Sequence, residues 1–199
     1  MAEFRSRVIA LSRAAWSLRQ ASPRPSTLPF ALALFTDPKR TPHIERLVTD
    51  LPRGLPPVAV IFRHDALPEK DRFALADAVR DEVQRRGHFF LMARARLPGA
   101  DGTHASRHRG CFQTAPAHSL AEGMRAVHHG SDALFVSPVL STASHPGEPF
   151  LGLGRAMRLA ASLPRPCLAL GGIDERTART LHGSMFQGFG AIGAFLRKP

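Results

Sequence analysis

"CLALGGIDE", residues 167–175, is an apolar run that ends on two glycines and then meets an acid able to cap a helix. Cys167 to Leu170 offer no polar position, so the run reads as a strand buried on both faces. Glycine weakens a strand end. Gly171 and Gly172 therefore imply a sharp turn or a close approach of backbone to something else. A phosphate is one such guest; the other reading is a plain tight turn in which Asp174 caps the next helix.

Seven further runs of the same kind flank this one: "FALALFTD" (30–37), "PVAVIFRHD" (57–65), "HFFLMARA" (88–95), "ADGTHA" (100–105), "CFQTAPA" (111–117), "DALFVSPV" (132–139) and "FQGFGAIGAFL" (186–196). Helix-like stretches alternate with them. "PHIERLVTDL" is one, and residues 68–86 are another, with Leu75, Val79 and Val83 on one face and Gly87 where a helix stops. Ser119 and Glu122 have capping-box spacing ahead of an apolar stripe of Leu120, Met124 and Val127. Residues 151–163 and 174–182 complete the set, and the connections on either side of 100–105 are short. Continuous apolar strands alternating with helices imply a parallel sheet covered on both sides. Eight of them predict a closed α/β (β/α)8 TIM barrel near the lower end of its size range, with an open doubly wound sheet as the alternative.

The 199 residues, 44% hydrophobic and 22% charged, suit one sizeable core. No run approaches the length of a membrane-spanning helix. Cys111 and Cys167 each open an apolar run, which predicts buried strand starts rather than a disulfide or a zinc site, and a reducing cytoplasm. Basic residues outnumber acidic ones 27 to 16, a net charge of +11 that attracts anions of any kind, including nucleic acid. No aromatic platform or motif accompanies that charge, so specific nucleic-acid binding is not expected, and a basic nucleic-acid-binding protein stands as an outside alternative. Residues 1–28 differ from the barrel region at 29–199. They carry Arg5, Arg7, Arg13, Arg19 and Arg24 beside Val8, Ile9, Leu11, Trp16 and Leu18. This composition fits a transit peptide, a membrane-surface helix or a helix closing one end of the barrel, and the last reading leaves "ASPRPSTLP" as a proline-rich connector.

In a barrel the ligand belongs at the C-terminal strand ends, and phosphate sites favour the turns after strands seven and eight. Gly171 and Gly172 follow one; Gly188, Gly190 and Gly193 punctuate the other. Thr142, Ser144 and His145, after the sixth strand, form either a second anion contact or an ordinary surface loop. His118 closes the fifth strand, as a general acid–base at the mouth or as a structural histidine. Arg63 ends the second strand, either as a ligand clamp or as half of an ion pair. His104 and His108 lie in a loop-like stretch, so no metal–histidine site is expected.

In this order, the strand ends resemble the thiamine phosphate synthase family, including its thiazole tautomerase branch. "LFTD" is similar to the family's "LVTD", "VIFRHD" to "VQLREK", "ADGTH" to "ADGVH" and "ALGGI" to "AIGGI". "AHSLAEGMRAVHHGSDALFVSPVLSTASH" follows "HTxEEAxxAxxxGADYVGxGPVFPTxTK" nearly without gaps. The resemblance covers roughly residues 30–196. It implies a (β/α)8 barrel in thiamine biosynthesis that binds thiazole phosphate, a small phosphorylated substrate. In the synthases, a transferase reaction joins it to a pyrimidine diphosphate with Mg²⁺ on the departing pyrophosphate. By motif position Gly171 and Gly172, with the backbone around Ala191 and Ile192, would hold the thiazole phosphate. Thr142, Ser144 and His145 would form a second substrate contact, and Arg63 would face the diphosphate.

The sequence also departs from the family. The "VND" that supplies a metal-binding aspartate meets "LMARA", with Met92 and Ala93 near those positions, and the aspartate after "HLGQ" meets "ASRHRG". Ile61 replaces a glutamine and Asp65 a lysine. Hard oxygen ligands for Mg²⁺ are thus missing, so Mg²⁺ is expected only if the synthase reaction is retained. His118 falls where the tautomerase branch, an isomerase without metal, keeps its proton-transferring histidine. A non-catalytic phosphate sensor is a further reading, and assembly is left open between a monomer and a homodimer.

Overall fold

Eight parallel strands close on themselves in the order in which the chain makes them, in a computed structural model that describes residues 2–108, 111–142, 147 and 149–196. They are β1 (Leu32–Phe35), β2 (Val58–Phe62), β3 (Phe89–Ala93), β4 (Gly102–His104), β5 (Phe112–Ala117), β6 (Ala133–Val136), β7 (Cys167–Leu170) and β8 (Phe186–Ala191). Each pairs in parallel with the next, and β8 returns to β1 through Leu32 opposite Phe189 and Leu34 opposite Ala191. Every apolar run of the sequence is a strand. Burial on both faces makes such strands read as continuous hydrophobic segments.

The strands alternate between two cores. Ala33, Phe35, Ala59, Ile61, Leu91, Ala93, Phe135 and Leu168 fill the barrel. The intervening residues face the helical wall with Val60, Phe90, Met92, Val136 and Phe189. At the N-terminal end, Phe30 packs edge-on to Phe112 at 5.9 Å and tilted against Phe89 at 6.1 Å, plugging the interior. At the other end Phe35, Phe135 and His104 form an aromatic floor with ring centroids 4.9–5.6 Å apart. Gly190 makes room for it: a Cβ there would lie 2.8 Å from Phe35 and 2.9 Å from Leu170.

The wall consists of α1 (Ala2–Gln20), α2 (Ile44–Leu47), α3 (Glu69–Arg85), α4 (Leu120–His128) and α5 (Leu153–Ser162), with short 3₁₀ turns. α3 buries Ala76, Val79 and Val83, as its four-residue repeat predicts, and Gly87 at φ +82° ends it. The capping box before α4 forms: Ser119 Oγ accepts from Glu122 N at 3.2 Å, and the Glu122 carboxylate accepts from His118 N at 2.9 Å. Its apolar stripe does not turn inward as a packed face would. α4 approaches β5 through Gly123, whose Cβ would sit 2.5 Å from Leu163, and this leaves Leu120 and Met124 nearly half exposed. The segment expected as a helix at 174–182 is a 3₁₀ turn over Thr177–Leu181. Among the described residues no helix bridges β3 to β4 or β4 to β5.

α1 joins the wall instead of crossing the barrel's end. It lies along β8 and β1 and buries Phe4, Val8, Leu11, Ala15 and Leu18. Arg19 fixes it: Nε donates to Gln187 O at 3.1 Å, Nη1 to Leu28 O at 3.0 Å and Nη2 to Phe30 O. Arg7 grips the other end, donating to Ala194 O and to both Glu175 oxygens. Arg24 donates to Leu163 O at 3.0 Å. Three of the five N-terminal arginines therefore bond the barrel's own backbone. Cys167 is buried and Cys111, just ahead of β5, is half-buried; neither is in a disulfide. Among the described residues no helix is long and apolar enough to cross a membrane.

Candidate functional site

The turns after β7 and β8 open onto one cavity of about 370 Å³ at the C-terminal mouth. Gly171, Gly172, Ala191, Ile192 and Thr142 all line it. Gly171 has φ +98° and Gly172 φ +70°, and a Cβ on Gly172 would come within 2.7 Å of both Leu140 Cβ and Ser141 O. The glycine pair is thus required twice, by left-handed backbone and by the close pass of the β6 loop. That loop is held against it by Val139 N on Leu170 O at 2.9 Å and Leu140 N on Gly171 O at 3.1 Å. Asp174 Oδ1 accepts from Arg176 N at 3.0 Å and Thr177 N at 2.9 Å, a local turn that sets the direction of the chain beyond the cavity. The 3₁₀ turn is too short for a helix dipole to matter, so any attraction to an anion comes from backbone N–H groups and from side chains.

One such side chain carries no signal in the sequence. Arg40, in the loop after β1, lines the same cavity, and its Nη1 lies 3.4 Å from where a Gly193 Cβ would be. It belongs to no repeat or motif, and only barrel closure, which sets β1 beside β8, brings it there.

His118 stands at the mouth between β5 and β6. Its Nδ1 pairs with Ser137 O at 2.6 Å, which makes Nδ1 the donor and leaves Nε2 as the basic nitrogen, 4.0 Å from Glu122 Oε1. Ser137 precedes Pro138, and Pro138 is the residue against which Gly171 packs. His118 is not among the described residues that line the glycine cavity. Ser144 and His145 lie outside the described residues.

Arg63 reaches over the aromatic floor, its guanidinium 5.2 Å from the Phe35 ring centroid. Its Nε donates to Thr36 O at 3.2 Å and its main-chain N to Thr36 Oγ1 at 2.8 Å. Among the described residues it makes no ion pair, although the Asp37 and Asp65 charges act on it from nearby. Burial lowers its pKa, partly offset by Asp37 and Asp65 and reinforced by Arg94 and Arg40. The nearby carboxylates have other partners: Asp65 bonds Arg72 at 2.5 Å and Arg94 at 3.2 Å, and Asp37 Oδ1 accepts from Lys39 N and Arg40 N. At the end of β3 stand Met92, Ala93 and Arg94, and at the end of β4 stands His104. Burial, then the Arg63 and Arg94 charges, push the His104 pKa down to about 3, so it is neutral, with Nδ1 paired to Thr114 Oγ1 at 2.9 Å. Among the described residues no three His, Cys, Asp or Glu side chains cluster to hold a metal.

A second cleft of about 770 Å³ lies outside the barrel between α1 and the Thr177–Leu181 turn, lined by Arg13, Arg176, Arg179 and His182. It accounts for part of the basic surface and shares no residue with the mouth.

Comparison with known proteins gives one consistent result. Residues 32–195 match the family described as Thiamine monophosphate synthase. The chain is 31% identical over 154 residues to the thiamine-phosphate synthase of Gloeobacter violaceus, covering 68% of this chain and 45% of that protein. It is 36% identical over 100 residues to that of Thermus thermophilus, covering 43% and 48%. It thus spans about half the length of the curated relatives it matches. Among solved structures, the thiamine phosphate pyrophosphorylase of Pyrococcus furiosus superposes with a TM-score of 0.68 at 21% identity, covering 81% of this chain and 85% of that one. The YdjI aldolase of Escherichia coli superposes at 0.54 and 12% identity, covering 81% and 75%. At such identities the superpositions speak to the barrel alone.

Proposed function

The chain belongs to the thiamine monophosphate synthase family, and from that premise we propose that its mouth binds a small phosphate ester of the thiazole phosphate type in the cavity between β7 and β8. One observation carries this reading: the turns after both strands line a single cavity, with Arg40 beside them. Backbone N–H groups at glycine turns approach an anion closely because no side chain intervenes, and a guanidinium adds a fork matched to phosphate oxygens. The ester's phosphate lies against Gly171, Gly172 and the Ala191–Ile192 backbone, with Thr142 at the rim.

The residues do not fit Mg²⁺. This ion takes hard oxygen ligands in near-octahedral array, and the described strand ends beside Arg63 present a methyl group, a guanidinium and a neutral imidazole, while Asp65 pairs with Arg72 and Arg94 and Asp37 Oδ1 accepts from two backbone N–H groups. On this reading the metal-binding carboxylates of the synthases are absent here, and no step runs through the metal. A second reading follows from His118, whose tautomer is fixed with a basic Nε2 at the mouth: a metal-free isomerase of the tautomerase type, in which that nitrogen moves a proton on the bound ester.

Gly193→Asp tests the binding. This position has no positive φ and its Cβ would meet only Arg40, so the variant places a carboxylate in the cavity without strain. Calorimetry should show saturable thiazole phosphate binding in the wild type and loss of about tenfold or more in Gly193→Asp; equal affinity in both would refute the site. Thiamine phosphate formation assayed with and without Mg²⁺ separates the readings. Metal-dependent turnover would overturn the loss of the carboxylates, and inactivity in both alongside proton exchange that disappears in His118→Gln would favour the isomerase.

A further inference from the structure

We infer that Arg7 of α1, which lies outside the stretch matched to the family, is a positioning residue for the glycine cavity. Its guanidinium ties the turn after β7 to the turn after β8, and so sets the spacing at which their N–H groups meet one phosphate; this rests on the phosphate-ester reading of that cavity.

Arg7 donates from Nη1 and Nη2 to the two Glu175 carboxylate oxygens, and from Nη2 and Nε to Ala194 O at 3.0 and 3.2 Å. Nη2 therefore serves both acceptors. A planar guanidinium fixes two such partners relative to each other, which a point donor cannot do. Glu175 follows Asp174 in one turn, and Ala194 follows Gly193 in the other. Asp174, Gly193 and Ala194 all line the cavity, and Arg7 is not among the described residues that do.

Each turn is braced within itself. Thr177 Oγ1 donates to Gly172 O at 3.1 Å and accepts from Asp174 N at 2.8 Å, and Leu196 N donates to Gly193 O at 3.1 Å. What remains to be set is the gap between the two pieces, across glycines whose backbone has more freedom than that of other residues. Donors meant for one anion must be held to within about 0.5 Å of their working positions. Arg7 spans that gap, and Phe4, edge-on to Phe195 at 5.9 Å, gives α1 a further hold on the segment after β8. The Arg7 side chain is 13% exposed and its charge is met by Glu175, so it acts on an anion by placement and not by attraction.

Calorimetric titration of the full chain with thiazole phosphate tests this, at a temperature where circular dichroism shows each variant folded. Arg7→Ala and Glu175→Ala should each weaken binding about fivefold, roughly the worth of one net hydrogen bond to the ester. The double variant should lose little more, because both changes break the same tie. Charge alone predicts opposite signs, with affinity falling when the arginine is lost and rising when the glutamate is lost. Arg7→Lys keeps the charge without the fork and should bind no better than Arg7→Ala. Arg24→Ala removes the bond to Leu163 O in the connector after α1, and should bind as the wild type does. A wild type that does not bind thiazole phosphate would sink the phosphate-ester reading, and Arg7 would have nothing to position. A wild type that binds would leave the cavity standing and overturn the role of Arg7 in any of four cases: equal affinity in Arg7→Ala, opposite shifts in the Arg7 and Glu175 variants, full rescue by Arg7→Lys, or an equal loss in Arg24→Ala.

Discussion

Arginine is abundant both in α1 and at the barrel mouth, but the two groups do different work. Arg19 gives its donors to Gln187, Leu28 and Phe30, and Arg7 gives its donors to Ala194 and Glu175. These are carbonyls and a carboxylate of the same chain, so the guanidinium groups act as cross-links. Arg63 uses a single donor on Thr36 O and keeps the rest at the mouth. Net charge does not distinguish the two. Hydrogen-bond satisfaction does: a cation whose donors are all engaged contributes to stability, whereas one left without an acceptor is suited to a ligand.

Arg19→Met should produce the largest effect. Burial already pushes the Arg19 pKa down to about 10, so its bonds offset a desolvation penalty. Losing three charge-assisted bonds should cost about 3–5 kcal/mol in urea unfolding and leave anion binding intact. Arg19→Lys, a single point donor, should restore only part of that. An effect below 1 kcal/mol would break the comparison on the side of α1.

Acid comes next. The folded-state pKa of His104 is about 3 against an ordinary 6.5. Between those values the unfolded chain binds more protons, so stability is at its plateau above about pH 7 and falls as the pH drops, by up to about 1.4 kcal/mol per unit. Burial lowers His64 and His88 in the same direction. Unfolding measured at pH 7 and pH 5.5 should differ by roughly 2 kcal/mol, and by less in His104→Phe. A flat profile would show that His104 is not sealed beneath the mouth cations.

Arg7→Ala should cost about 1–2 kcal/mol, since its ion pair with Glu175 is partly exposed and much of the loss is the two bonds to Ala194 O. The smallest stability effect is expected of Arg63→Met, within about 1 kcal/mol, because removing an unpaired, partly buried charge recovers desolvation energy. A large loss there would make Arg63 another cross-link and erase the distinction.

The barrel was legible because strands covered on both sides cannot alternate. Runs such as "DALFVSPV" and "CLALGG" leave few other readings. Gly171 and Gly172 were legible for a related reason, as side chains missing where the chain turns. Other features depend on closure. Arg40 joins the cavity only because β1 pairs with β8, and nothing in "TDPKRTP" announces it. α4 shows the limit of periodicity: Leu120, Met124 and Val127 have the right spacing, yet Gly123 sets the packed face because it permits the closest approach to Ala117 and Leu163. The placement of α1 beside β8 was equally hidden, since a repeat of apolar residues states that a face is buried and not what covers it.

That placement bears on biosynthesis. Phe4 meets Phe195 edge-on at 5.9 Å, and Arg7 reaches across 187 positions to Ala194. Within this chain α1 is made long before its partners beyond β8, and its oily side stays uncovered until those residues have been translated. Ring closure with such distant ends is slow, and the waiting chain is open to aggregation and to capture by chaperones. Stalling synthesis just short of the eighth strand should yield a nascent chain in which α1 is still sensitive to protease.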